Sequence, residues 1–193
     1  MLDKSVPYKG ILMRRLAGKF IPSAVLPQGY SFSLYRPGDE IHWARIETSV
    51  LGFETELEAY LHVQKRFLSY APDEVPRRLL FIKDSTNIPV ANLLVWWEYT
   101  GKRRDPCIHF VGVRADRQGI GLGKAIIYEG LRFAVEIEGD RDIYLSTSTW
   151  CHKAIGIYIK AGFEIYDGDF GGYTNYCAEA LEIMRGLDLP YKI

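Results

Sequence analysis

The stretch VGVRADRQGIGLGK at residues 111–124 constrains this chain more than any other. It reads as a buried strand, a short polar turn and a glycine-rich entry into a helix. Glycines at 119, 121 and 123 let backbone amides approach a ligand with no Cβ in the way. A helix start leaves its first N–H groups unpaired and carries partial positive charge, which suits a phosphate. A strand leading into a pyrophosphate seat implies an α/β sheet rather than a bundle or an all-β sandwich.

The rest of the chain fits that frame. Residues 30–35 alternate apolar and polar side chains, as a half-buried strand does. Asp39 is placed to cap a short helix over residues 40–47. Thr55 and Glu58 have capping-box spacing for a second helix running to about Phe67, with Pro72 and Pro76 stopping it. Strands are expected at 78–83, 89–99, 108–113, 143–147 and 163–166, and helices at 121–138 and 152–161, the latter closed by Gly162. Residues 181–185 alternate again and predict a last strand. Among the first 27 residues, 10–14 and 19–21 predict an extra hairpin around Ala17 and Gly18. With 193 residues and 48% hydrophobic content, one well-buried domain over residues 1–193 is expected.

Two familiar glycine loops do not fit. A dinucleotide fingerprint needs a third glycine where Lys124 stands, and a P-loop needs Ser or Thr where Ala125 stands. The spacing of Gln118, Gly121 and Gly123 instead resembles the acyl-CoA-binding signature of the GNAT N-acetyltransferase superfamily. Residues 149–163 are similar to that family's downstream motif, with Ala154, Tyr158, Gly162 and Phe163 in register. Cys151 stands where the family has Asn. The resemblance covers about residues 30–184. It implies a mixed, mostly antiparallel sheet of six to seven strands, splayed at its centre and flanked by about four helices.

The resemblance also implies roles. Amides of Gln118, Gly119, Ile120, Gly121, Leu122 and Gly123 would hold the pyrophosphate of acetyl-CoA, the co-substrate. Arg117 and Lys124 would add charge. Backbone groups of Val111 and Val113 would pair with the pantetheine arm, the Val113 amide polarising the thioester carbonyl. Gly112 between them is expected to mark the bulge that opens the sheet. Cys151 occupies the remaining cofactor-contact position. Tyr158 matches the tyrosine that protonates the leaving sulfur. His109 and Glu98 are rival bases for the attacking amine, His109 lying on the face of Val111 by strand alternation. Asp39, Glu40, Trp43, Glu47, Trp96, Trp97, Tyr173 and Tyr176 are candidate neighbours of an acceptor whose amine is cationic.

Composition narrows the partners. Lys plus Arg and Asp plus Glu both number 24, which predicts neither nucleic acid nor an anionic membrane as partner. The basic run at Lys102, Arg103 and Arg104 reads as a solvated turn. Three cysteines without CxxC spacing suggest neither a metal site nor a disulfide framework. No stretch is apolar enough to span a bilayer and the N-terminus lacks a signal-peptide layout, so a cytoplasmic protein is expected. The expected acceptor is the primary amine of a small molecule, with a protein amine as an alternative, and a homodimer is compatible with this reading. A catalytically silent CoA-binding module is the competing class; Cys151 in place of Asn leaves it open and Tyr158 argues against it.

Overall fold

The computed structural model describes residues 2–101 and 103–192. Lys102 of the basic turn lies outside the described residues. Among the described residues seven strands form one mixed sheet: β1 (Gly10–Arg15), β2 (Ser31–Leu34), β3 (Leu79–Lys83), β4 (Pro89–Tyr99), β5 (Arg104–Val113), β6 (Ile143–Ser148) and β7 (Glu164–Ile165). Their order in the sheet is β2-β3-β4-β5-β6-β1-β7. Among the described residues five α-helices accompany them: α1 (Glu40–Ser49), α2 (Glu56–Val63), α3 (Leu122–Glu138), α4 (His152–Lys160) and α5 (Cys177–Arg185). No described helix is long and apolar enough to cross a membrane.

The chain divides into two compact units. The first holds residues 23–95 and 110–130. In it β2, β3 and the start of β4 pair antiparallel, with Phe81 opposite Asn92. The side chain of Thr55 accepts the Glu58 amide at 3.1 Å, and the Glu58 carboxylate reaches the Glu54 amide at 3.2 Å, so α2 opens with the expected cap. A π-helical turn at Gln64–Leu68 extends it and buries Phe67. Asp39 does not cap α1 as expected. Its backbone is already helical, and its carboxylate accepts the Arg36 amide at 2.9 Å, closing the preceding turn instead.

The second unit holds residues 2–22, 96–109 and the chain from Leu131 onward. Here β5 and β6 run parallel, with Cys107 opposite Tyr144 and Ile108 opposite Leu145. The N-terminal hairpin does not form. β1 pairs antiparallel with β6 on one edge and with β7 on the other, so residues 19–21 find no free edge of β1 and lie in irregular chain. The last strand is also absent: residues 181–185 belong to α5. Cys177, Ala180 and Met184 are its buried residues, at helical spacing, and this stripe outweighs the local alternation.

α3 carries the apolar stripe expected of it. Leu122, Ile126 and Leu131 are essentially inaccessible, and burying such a side chain contributes roughly 1.5–3 kcal/mol. At Gly130 a Cβ would stand 2.6 Å from Leu93, so the small residue lets the helix sit close to β4.

Candidate functional site

The first unit carries the glycine loop. A short 3-10 turn at Ala115–Arg117 follows β5, and α3 begins at Leu122. Gly119 and Gly121 have φ of +85° and +95°, and a Cβ on either would meet nothing within 4 Å. Their requirement is thus conformational, and the loop is open on its outer side. The Gln118 side chain donates from Nε2 to the Val113 carbonyl at 2.9 Å, tying the loop to the end of β5. Arg114 grips Asp116 with two bonds of 2.6 Å, which holds the Asp116 carboxyl down at about 2. Arg117 reaches Asp84 at 3.6 Å and Asp116 at 4.0 Å. The first turn of α3 contains no acidic residue, while Lys124 is exposed there. An anion approaching the loop at Gly119 and Gly121 therefore meets open space and a helix N-terminus whose first turn has no carboxylate. These residues fit the pyrophosphate of coenzyme A.

A bulge is expected at Gly112, and the irregular backbone of β5 lies two residues earlier. Phe110 adopts φ +49°, a left-handed conformation that bulky residues rarely enter. Strand alternation does not carry through such a residue, so the shared face of His109 and Val111 expected from simple alternation does not follow. Gly112 is constrained for another reason. A Cβ there would stand 2.6 Å from Glu47 Oε1 and 2.9 Å from Ile46 Cγ2. Val111 and Val113 are half-buried on either side of it.

Glu47 is the site residue that sequence reasoning left least defined. It is 5% exposed and accepts from Asn92 Nδ2 at 2.8 Å. Asn92 Nδ2 also donates to the Phe110 carbonyl at 2.7 Å. Burial pushes the Glu47 carboxyl up to about 7, the Asn92 bond offsetting part of that rise. The Phe110 ring packs against Trp43, Phe67 and His62, with centroids 5.1, 5.8 and 5.4 Å away. Trp43 is fully buried in this cluster and so belongs to the core. Asp39 faces Lys83 at 3.7 Å, and Glu40 accepts from the Tyr35 hydroxyl at 2.7 Å, which commits both to local structure.

The second unit carries the acid–base candidates. His109 Nε2 lies 3.4 Å from Glu98 Oε1, with the histidine side chain 12% exposed and the glutamate 22%. The glycine-rich turn after β7 closes over them. Gly171 sits so near Glu98 that a Cβ would fall 3.0 Å from its Cβ, and the Tyr173 hydroxyl stands 3.4 Å from Glu98 Oε1. The two rival bases are thus one cluster. Tyr158 is buried on α4, edge-on to Phe163 at 6.0 Å. Trp96 and Trp97 are buried and mutually stacked at 4.1 Å, while Tyr176 is 38% exposed beside Lys9.

Cys151 is half-buried in the 3-10 turn Thr149–Cys151, with the Ser148 hydroxyl 3.9 Å from its sulfur. The N-terminal segment is laid across this turn. Trp150 Nε1 donates to the Val6 carbonyl at 2.8 Å, Thr149 Oγ1 to the Pro7 carbonyl at 2.6 Å, and His152 Nε2 lies 3.0 Å from Asp3 Oδ2. The Ser5 hydroxyl and amide, with His152, hold the Asp3 carboxyl down at about 2. Partners so far apart in the chain left no local pattern by which to find this contact. Among the described residues, no group of three or more His, Cys, Asp or Glu side chains is placed to hold a metal ion.

Comparison with known proteins agrees with this arrangement. The acetyltransferase (GNAT) family profile matches residues 39–163. A mycothiol acetyltransferase of Actinosynnema mirum is 30% identical over 166 residues, covering 82% of this chain and 52% of that protein. A mycothiol acetyltransferase of Streptomyces coelicolor is 24% identical over 159 residues, covering 82% of this chain and 50% of that protein. The chain thus spans about half the length of these relatives. Among solved structures, a GCN5-related N-acetyltransferase from Sphaerobacter thermophilus superposes with a TM-score of 0.63 at 21% identity, over 83% of this chain and 49% of that one. A tandem GNAT protein from the clavulanic acid biosynthesis pathway gives 0.59 at 16% identity, over 86% of this chain and 52% of that one. With its glycine loop, its strand order and a family match over most of its length, this chain belongs to the acetyltransferase (GNAT) family.

Proposed function

We propose that the chain, as one acyltransferase domain, moves the acetyl group of acetyl-CoA onto the primary amine of a small molecule. The observation that carries this is the open loop at residues 118–123, with its two left-handed glycines and its tie from Gln118 to the end of β5. The family supplies acetyl transfer as the chemistry, and the names of the matched relatives, mycothiol acetyltransferases, favour a small acceptor over a protein side chain.

In this reading the acceptor nitrogen attacks the thioester carbonyl directly. A C–N bond forms, the C–S bond breaks, the nitrogen loses a proton and the thiolate gains one. Amides of residues 118–123 hold the pyrophosphate, with Lys124 adding positive charge. Backbone groups of Val111 and Val113 align the pantetheine arm, and the Val113 amide stabilises the oxyanion. Tyr158 protonates the sulfur. His109 takes the proton from the amine, and Glu98, 3.4 Å away, orients it. The transfer as written uses no metal ion.

A thiol-release assay with acetyl-CoA and a panel of primary amines tests the proposal. Acceptor-dependent release, with an acetylated amine seen by mass spectrometry, is expected. Tight CoA binding with no acetylated product from any amine or peptide would select the silent CoA-binding module instead.

A further inference from the structure

The kink in β5 needs an explanation of its own. A non-glycine residue held in the left-handed region is strained and persists only where its surroundings over-determine it. At Phe110 two sets of contacts do so. The ring is clamped by Trp43, His62 and Phe67. The carbonyl is held by Asn92, whose side chain is completely buried. An amide nitrogen has two protons to donate, and Asn92 spends both: one on Phe110 O at 2.7 Å, the other on Glu47 Oε1 at 2.8 Å. Glu47 also fills the space beside Gly112 that a Cβ would need. One buried carboxyl group thus touches the backbone between Val111 and Val113 and orients the amide that holds Phe110.

An apolar side chain at position 47 would fill the same volume without fixing the Asn92 amide. A buried polar group is costly unless its bonds are made, so the pair belongs where the geometry it enforces matters. We infer that Glu47 and Asn92 are positioning residues: a buried brace that fixes the kink at Phe110 and so sets the strand end to which the thioester arm is paired. This inference rests on the CoA reading above for its purpose, but not for its structure.

The test compares Glu47→Gln, Glu47→Leu and Asn92→Leu by hydrogen exchange of the β5 peptide and by calorimetric titration with coenzyme A. Glu47→Gln keeps an acceptor for Asn92, so exchange stays at the wild-type rate and CoA affinity within about twofold. Asn92→Leu leaves the Phe110 carbonyl without this donor; exchange of residues 110–113 rises and CoA affinity falls, each by about tenfold, the equivalent of one buried bond left unmade. Glu47→Leu falls between the two. If Asn92→Leu does not fold, Asn92→Ser carries the same expectation. A folded Asn92 variant with wild-type exchange and affinity overturns the brace. A wild type that binds no coenzyme A sinks the functional reading alone, because exchange in the Asn92 variants still decides whether the brace holds β5.

Discussion

The imidazole of His109 and the carboxylate of Glu98 lie 3.4 Å apart, Nε2 to Oε1, under the glycine-rich turn that carries Tyr173. The two side chains are therefore adjacent, and a carboxylate at that distance can hold the imidazole in one orientation. His109→Gln is expected to lower kcat/KM by about a hundredfold or more at neutral pH. Glu98→Gln, which keeps the shape of the neighbour and a hydrogen-bonding oxygen, is expected to cost less, about tenfold. An unchanged kcat/KM in His109→Gln would point to water as the base.

Tyr158 is buried on α4 against Phe163. Replacing it with Phe keeps the ring and its packing and removes only the hydroxyl. Tyr158→Phe is expected to reduce turnover by about a hundredfold, with CoA affinity and thermal stability close to wild type. Turnover and calorimetry on the same preparation check this. An unchanged rate would leave Tyr158 a packing residue.

Burial raises the Glu47 carboxyl from its ordinary 4.5 to about 7. The folded state therefore holds a proton that the unfolded state releases. Stability from this group is fully present below about 4.5, declines as pH rises toward 7, and is level above it. The decline is on the order of 3 kcal/mol. Glu47→Gln is expected to flatten this portion of the curve of unfolding free energy against pH, measured by urea titration. A wild-type curve that rises steadily from pH 4.5 to 7, matched by the variant, would contradict the buried neutral acid.

Gly112 tests the close approach of α1 to β5. Its alanine variant would place a Cβ 2.6 Å from Glu47 Oε1 and 2.9 Å from Ile46 Cγ2. Overpacking of this kind costs about 1–3 kcal/mol. Gly112→Ala is expected to lower the unfolding free energy from denaturant titration by that amount, whereas Gly119→Ala, in open space, is strained only through its positive φ. Equal stability of Gly112→Ala and wild type would show that α1 yields at this point.

Much of this was legible in the chain itself, for identifiable reasons. The loop at 118–123 and the helix after it announce themselves locally, through glycine spacing and an apolar stripe, and α3 begins one residue from its expected start. Thr55 and Glu58 cap α2 because capping depends on neighbours three residues apart. What failed depended on partners distant in sequence. Residues 19–21 have strand composition, but both edges of β1 are already taken by β6 and β7. Leu181 and Ile183 alternate like a strand, yet Cys177, Ala180 and Met184 supply a buried helical face. The kink at Phe110 is invisible in composition, since the bonds that enforce it come from Asn92 on β4 and Glu47 on α1. Glu47 was legible only as an acidic residue near an acceptor, not as a group wedged against Gly112.

We propose above that the open loop between β5 and α3 seats acetyl-CoA for transfer to an amine. The most direct measurement is calorimetric titration of acetyl-CoA into the wild-type protein and into Gly121→Val, followed by mass spectrometry of the wild-type mixture after adding primary amines. A β-branched residue strongly disfavours the +95° φ of Gly121. Saturable binding by the wild type, binding weakened about tenfold or more in Gly121→Val, and an acetylated amine among the wild-type products are expected. Equal binding by both proteins, or none by the wild type, would contradict it.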